Sequence, residues 1–495
     1  MWPVLKAYRR ILTSSLGMLI GLVLAACSAG PDYIRPAAPE ETHFKEAKKG
    51  WKRATPRDEI DRGPWWSVFR DKRLDSYESQ VEISNQNVAA AEAAFRQAQA
   101  VVKEAQAGLF PAVTLGYDVT RSHFGRLAVG SALGSGITRT ISTLAFTGSW
   151  DVDLWGKIRR TVESDVSAAQ ASAADLANAK LSAQALLATA YFNLLAADAL
   201  SDLLNRMAGT FRNTLEITEN QYKAGTVSRA DVATARAQVY STEAQAIAVG
   251  VTRAQFEHAI AALMGKPPAD LTVPHTPLGY RLPTIPPGLP SALLERRPDI
   301  AGAERRMQQQ SALIGAAVAL YYPDITLTGV FGFMGQGGLA MSLANEFWTL
   351  SASAAQTVFN AGRTTAQVEA AKAFYDQSIA VYRQNVLTAF QQVEDELAAI
   401  RILAKEQKAA EEAVKASQEE FDVLLRQYRA GTVAFTAVNV AQITLLTNSQ
   451  AALLIRQSRF IAAVALVQAL GGGWDASQLP SNVELETRDF FIPPI

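Results

Sequence analysis

QYKAGTV, Gln221 to Val227, returns as QYRAGTV, Gln427 to Val433, 206 positions later. In both places helix-forming sequence runs up to the motif and resumes after it. Two further echoes keep the same order. SNQNVAAAEAAFRQAQ…GLFPAVTL (Ser84 to Leu115) aligns with RRPDIAGAERRMQQQ…LYYPDITL (Arg296 to Leu327) at an offset of 212, which sets Asn87, Glu92, Pro111 and Leu115 on Asp299, Glu304, Pro323 and Leu327. DLWGKIRR aligns less closely with TVFNAGRTT, with Trp155 on Phe359 and Arg159 on Arg363. Chance can supply one seven-residue echo; three in the same order mark two related halves of roughly 200 residues.

Composition narrows the class. The 495 residues carry 47 basic and 47 acidic side chains, so there is no field to attract a polyanion and nucleic acid is not an expected partner. The four histidines, His43, His123, His258 and His275, are scattered, and no HExxH, P-loop or GxSxG pattern occurs. No catalytic, metal or cofactor-binding residue is expected, and the chain does not read as an enzyme.

The first 26 residues are not fold. Lys6, Arg9 and Arg10 precede the apolar run ILTSSLGMLIGLVLAA, which is short for a membrane span and stops at Cys27, the only cysteine. Leu24-Ala25-Ala26-Cys27 resembles the lipobox of bacterial lipoproteins. That resemblance implies cleavage before Cys27 and a covalent lipid on it, and Ser28 in the next position implies the outer membrane. Residues 27–73 read as a lipidated tether and equatorial segment, with Trp65 and Trp66 docking it on the body.

The first half, 74–264, opens with a helical pattern from Leu74 to Leu109. The period then changes to two. Strands are expected over about 112–124 and 138–154, separated by the Gly/Ser-rich interval Gly125 to Gly136. Val113, Leu115, Tyr117 and Val119 share one face of the first, against Thr114, Gly116, Asp118 and Thr120. Leu144, Phe146, Trp150, Val152 and Leu154 share one face of the second, against Ala145, Thr147, Ser149, Asp151 and Asp153. Helical sequence then runs from about Lys157 to Lys223, with a break expected near Gly209. Even in two pieces it measures on the order of 90 Å at 1.5 Å per residue. A turn near 224–232 leads to a helix ending at Met264, and a Pro-rich linker fills 265–290. The second half, 291–470, repeats the plan: strands over about 324–334 and 347–358, a long helix, a turn near 430–440 and a last helix. A short tail, 471–495, completes an equatorial region. No run after the leader reaches 18 uncharged apolar residues, so no transmembrane helix is expected.

Four two-faced strands cannot close a membrane barrel, since single-chain barrels need at least eight. An open edge in lipid leaves backbone groups unpaired at several kcal/mol each. Either the sheet is soluble, which leaves the long helices without a purpose, or chains pool their strands, eight from two or twelve from three. In a pooled barrel Val113, Leu115, Tyr117, Leu144, Phe146, Ile325, Leu327 and Leu350 face lipid, and Asp118, Asp151 and Asp153 face the water-filled lumen. Trp150, Trp155, Phe347, Trp348 and Phe359 lie toward strand ends, where aromatic rings suit the membrane interface.

On RRPDI (Arg296 to Ile300), YYPDITLTG (Tyr321 to Gly329), SWDVDLWG (Ser149 to Gly156), the paired AGT motifs and ALGGGW (Ala469 to Trp474), the chain resembles the TolC-like outer-membrane efflux family, in particular its lipoprotein branch. The resemblance covers nearly the whole chain. It implies a mixed α/β membrane protein: a homotrimeric twelve-stranded β-barrel, four strands per chain, continued by a periplasmic α-helical barrel and fed by an inner-membrane RND-type pump through a periplasmic adaptor. It implies an adaptor-docking tip at Ala224, Gly225, Thr226, Ala430, Gly431 and Thr432. It also implies a periplasmic gate nearby, where the family's acids match only in part: Asp231 follows the first motif, while Ala437, Asn439 and Val440 follow the second. The expected function is passive exit of drugs, solvents or metal ions across the outer membrane of a Gram-negative bacterium. Alternatives are the duct of a type I protein secretion system and a non-conducting coiled-coil lipoprotein.

Overall fold

A computed structural model describes residues 28–39, 44–46, 64–125, 137–279, 282–283, 296–337 and 343–486. Cys27, the leader and all of the Gly/Ser-rich interval after Gly125 lie outside the described residues. Eight helices are labelled here: α1 (Lys72–Ser84), α2 (Gln86–Ala107), α3 (Lys157–Lys223), α4 (Arg229–Leu263), α5 (Pro298–Ala319), α6 (Arg363–Arg429), α7 (Phe435–Ala469) and the short α8 (Asn482–Leu485). Four strands complete the set: β1 (Ala112–Phe124), β2 (Ile137–Asp151), β3 (Asp324–Gln336) and β4 (Glu346–Ala355).

The halves match in length as well as order. Both α3 and α6 have 67 residues, both α4 and α7 have 35, both α2 and α5 have 22, and both β1 and β3 have 13. At 1.5 Å per residue α3 and α6 are each about 100 Å long. Gly156 and Gly362, both at positive φ, start the two long helices. This sets Lys157 on Arg363, two positions away from the sequence alignment of Arg159 with Arg363. The reason is the link out of the sheet, residues 152–156 in the first half and 356–362 in the second.

Gly209 does not break α3. A helical glycine costs about 1 kcal/mol relative to alanine, and buried Met207, Ala208 and Phe211 around it hold the helix in one piece. A single break does occur where none was expected, between α1 and α2. Asn85 leaves helical geometry there, and its carboxamide oxygen caps α2 by accepting from the Asn87 and Val88 amides at 2.9 and 3.1 Å.

The helix α3 is the hub. It packs against α2 and α5 toward the sheet and against α4 and α7 toward the far end, whereas α6 packs mainly against α5 and α7. Helices α3 and α7 do contain windows apolar enough to cross a membrane, but 78% of the window in α3 is buried within the protein. Helix-on-helix packing therefore accounts for its apolarity. The described part of the Pro-rich linker up to residue 279 is tied down by packing and hydrogen bonds. Val273 and Leu278 are buried, Thr276 N–H donates to Asp198 at 2.8 Å, and the His275 ring lies 3.1 and 3.0 Å from Asp198 and Asp202.

The sheet is antiparallel in the order β1-β2-β3-β4. Its outer strands each keep one unpaired edge among the described residues.

Candidate functional site: the sheet faces and the helix tips

Because residues paired across an antiparallel ladder share a face, the register sorts every side chain. One row runs Leu115, Phe146, Phe331, Trp348. The next toward the helices runs Val113, Gly148, Gly329, Leu350, and then Trp150, Leu327, Ala352. On the other side Tyr117, Leu144, Phe333 and, at the start of β4, Glu346 form a row, and Val119 begins the last. These five rows span about 27 Å along the strands at 3.4 Å per residue, close to the lipid-facing band of an outer-membrane barrel. Leu350 is 78% exposed and Trp348 70%. Water would penalise that apolar surface; hydrocarbon would not. Above the band, Arg121 and His123 continue the same face, and the His123 ring lies 2.8 Å from the Thr138 hydroxyl.

The opposite face is small and polar. Its rows read Ala112, Ser149, Thr328, Ser351 and then Thr114, Thr147, Val330, Thr349. Asp118 lies farther along this face and accepts from the Thr120 hydroxyl at 2.6 Å. Asp151 accepts from the Thr326 hydroxyl across the ladder at 2.7 Å. Phe347 also falls on this face, opposite Gly332.

Asp153 does not lie on it. Strand β2 ends at Asp151, and a turn from Val152 to Gly156 carries the chain out of the ladder. The Asp153 carboxylate accepts from the Ile158 and Arg159 amides at 2.9 and 2.8 Å and pairs with the Arg159 guanidinium at 3.3 Å. It thus caps the N-terminus of α3, where the helix dipole favours an anion. Trp155 is likewise drawn inward. Its ring stacks on Tyr322 with centroids 4.8 Å apart, and its indole N–H donates to the Pro323 carbonyl at 2.9 Å. Trp150 keeps its place at the strand end and donates to the Leu109 carbonyl at 3.0 Å. Phe359 lies beyond β4, in the exposed link to α6.

At the far end the two AGT turns have one geometry. Gly225 and Gly431 both adopt φ of 77°. Each following threonine amide reaches back five residues, Thr226 to the Gln221 carbonyl and Thr432 to the Gln427 carbonyl, both at 3.0 Å. This is the six-to-one bond of a Schellman cap, which needs a left-handed residue and so selects glycine. The threonine hydroxyls bond the same carbonyls at 2.9 and 3.0 Å. Ala224, Thr226, Ala430 and Thr432 are exposed, so both turns present their apices outward.

The helices leaving the turns differ. Ser228 and Asp231 form a capping box on α4: Asp231 accepts from the Ser228 amide at 3.0 Å and hydroxyl at 2.7 Å, and its own amide donates to Ser228 Oγ at 3.2 Å. The matching positions on α7 are Ala434 and Ala437, with no side-chain cap. The acid and its hydroxyl partner are thus absent together. Phe435 instead buries itself against Tyr428, ring centroids 5.9 Å apart. Val440 is exposed, while Asn439 is half-buried and its Oδ1 is buried without a hydrogen-bond partner.

Polar bonds join the two tips. Gln221 donates to the Tyr428 carbonyl at 3.0 Å, the Tyr428 hydroxyl to Thr218 at 3.1 Å, and the Gln442 amide to Thr214 at 2.8 Å. The last two bonds are buried. Burial pushes the Tyr428 hydroxyl pKa up, and the Asp231 charge pushes it the same way. This network escaped sequence reasoning, because glutamine and threonine on long helices carry no spacing signature.

The comparisons agree with this geometry. The Outer membrane efflux protein profile matches twice, over residues 78–266 and 289–472. The probable efflux pump outer membrane protein TtgC of Pseudomonas putida is 29% identical, covering 94% of this chain and 97% of that protein. The pyoverdine export outer membrane protein OpmQ of Pseudomonas putida is 30% identical, over 83% of this chain and 88% of its own length. Among solved structures, the outer-membrane channel OprN superposes with a TM-score of 0.83 at 28% identity, covering 90% of this chain and all of that one. With an apolar membrane-height sheet face, long packed helices and two matching profile segments, the chain belongs to the outer membrane efflux protein family, the channel proteins through which efflux leaves across the outer membrane.

Proposed function

We propose that three copies of this chain close into one exit duct, a twelve-stranded barrel continued by a helical tunnel, anchored by a lipid on Cys27. The observation that carries this reading is that sheet and helices are open along the same two sides. Strand β1 follows α2, and both lie at one side with α4; β4 leads into α6, and both lie at the other. Head-to-tail contact between unlike edges closes a ring without leaving an edge, and it satisfies the backbone groups that lipid would leave unpaired. Exposed apolar side chains line these sides: Tyr240, Ile247 and Val251 on α4, and Phe374, Val381 and Ile402 on α6.

In this reading the small polar face of the sheet lines a passive lumen. The AGT turns meet a periplasmic adaptor, and an RND-type inner-membrane pump supplies energy and selects cargo among small molecules such as drugs, solvents or metal ions. One relative's name specifies pyoverdine export. Reconstitution of the purified, cross-linked trimer into planar bilayers tests the reading. Discrete single-channel steps are expected. A folded trimer that passes no current would leave a non-conducting scaffold as the better account.

A further inference from the structure

The segment directly after Cys27 is seated in a built site. The Ala29 amide donates to the Trp155 carbonyl at 2.9 Å. Arg160 is only 5% exposed. Its Nε donates to the Ala29 carbonyl at 3.2 Å, and its Nη2 to Asp32 at 2.8 Å and the Gly30 carbonyl at 3.5 Å, while Nη1 is held by Glu163 at 2.7 Å. Three glycines from distant parts of the chain leave room for this contact. A Cβ on Gly30, whose φ is +84°, would stand 2.5 Å from the Gly315 Cα; one on Gly315 would stand 2.7 Å from the Ala29 carbonyl; one on Gly156 would stand 3.0 Å from Ser28. A buried guanidinium is tolerated only when paired and hydrogen-bonded, and here part of the N-terminal segment supplies the partners.

We propose that this seat is a receptor for the chain's own acylated N-terminus, fixing the point where the anchor enters the membrane at the foot of β2 and β3. The proposal rests on the reading that Cys27 is lipidated. Ser28, the residue bonded to Cys27, lies against Gly156, next to the Trp155–Tyr322 stack. From there the row Trp150, Leu327 leads into the apolar face. Beyond the seat, Arg35 reaches Glu304 at 3.6 Å and the Tyr382 hydroxyl at 3.3 Å. Arg160 is a positioning residue in this scheme.

Metabolic feeding of a palmitate analogue with a mid-chain diazirine, irradiation and peptide mapping of the purified trimer test the proposal. The expected adducts fall on residues 144–155 and 321–331. In Arg160→Ala, and in the milder Asp32→Ala whose target side chain is largely exposed, that focused signal falls severalfold while label per chain and trimer content hold. Adducts scattered along the helices, or an unchanged map in Asp32→Ala and Arg160→Ala, would overturn the seat. Label entering without a focused adduct sinks the seat alone, whereas no label in the wild-type chain sinks the lipidation reading and the seat with it. The wild-type map decides the matter even if Arg160→Ala does not assemble.

Discussion

The Arg297 guanidinium donates to the carbonyl of Ala469, the last residue of α7, at 3.0 Å. In the other half the Asn85 amide donates to the carbonyl of Leu263, the last residue of α4, at 2.7 Å. The pairs occupy equivalent places, and the glycine two residues past each helix end completes the match. A Cβ on Gly265 would stand 2.0 Å from the Ser84 carbonyl, and one on Gly471 2.0 Å from the Arg296 carbonyl. Each half thus closes the end of its last helix onto the start of an earlier one with one side chain and one glycine.

The two locks are unequal in strength. Arg297 is nearly buried and also holds Asp299 and Gln392 at 2.7–3.0 Å. Hydrogen bonds to a charged group contribute about 1.5–3 kcal/mol, neutral ones about 0.5–1.5. Arg297→Ala is therefore expected to lower the thermal midpoint of the detergent-solubilised protein more than Asn85→Ala does. Gly471→Ala is expected to abolish trimer recovery, because it meets both a positive φ and a backbone oxygen. Equal midpoints for the two alanine variants would contradict this ranking.

A second expectation concerns pH. Glu78 on α1 is fully buried, and neither carboxylate oxygen has a hydrogen-bond partner. Burial, with a smaller push from the neighbouring Glu82 charge, raises its pKa from 4.5 to about 9. The folded state therefore holds a proton that the unfolded chain releases near pH 4.5. Stability from this group is fully present below that pH and is lost as pH rises toward about 9. Glu78→Gln keeps the shape without the proton, so its thermal midpoint should exceed wild type at pH 8–9 and converge with it near pH 4.5. Parallel pH profiles for the two proteins would show that Glu78 is not the source.

Much of this fold is legible in the sequence because two periodicities are strong and stated twice. Val113, Leu115 and Tyr117 alternate so cleanly that the strand and both faces follow. The Asn85 and Arg297 locks are hidden for the opposite reason. An amide and a guanidinium are chemically unlike, and only their distant carbonyl partners make them equivalent. Asp153 misleads because alternation continues two residues past the last paired residue of the ladder, Asp151, and only the turn that follows hands it to the helix. The roles of α3 and α6 cannot be separated by composition. Their neighbours come from remote parts of the chain, and these make α3 a buried hub and α6 an edge.

The faces of the sheet yield a third test. Single cysteines at Thr114, Thr147 and Thr349 should react with a membrane-impermeant maleimide in the assembled trimer, since water would reach that row. Cysteines at Leu115, Phe146 and Trp348, one residue away on each strand, should stay unlabelled until detergent strips the lipid. Cys27, the one natural cysteine, adds no background when its sulfur is held in the thioether of the proposed lipid. Equal labelling of both rows would argue against a membrane-spanning barrel.

The tips carry the last expectation. Asp231 is committed to Ser228, and losing a capping residue of this kind costs about 1 kcal/mol. Asp231→Asn should therefore frayed-end the start of α4 modestly while leaving the single-channel current near that of wild type. Val440 is different, being 61% exposed on the uncapped helix α7. If copies of α7 converge around the axis, Val440→Asp sets like charges facing one another and forces the tips apart. Conductance in planar bilayers, and antibiotic entry into cells, should rise for Val440→Asp and for Ala437→Asp. Currents that rise for Asp231→Asn instead, and stay flat for the α7 variants, would move the gate from the second repeat to the first.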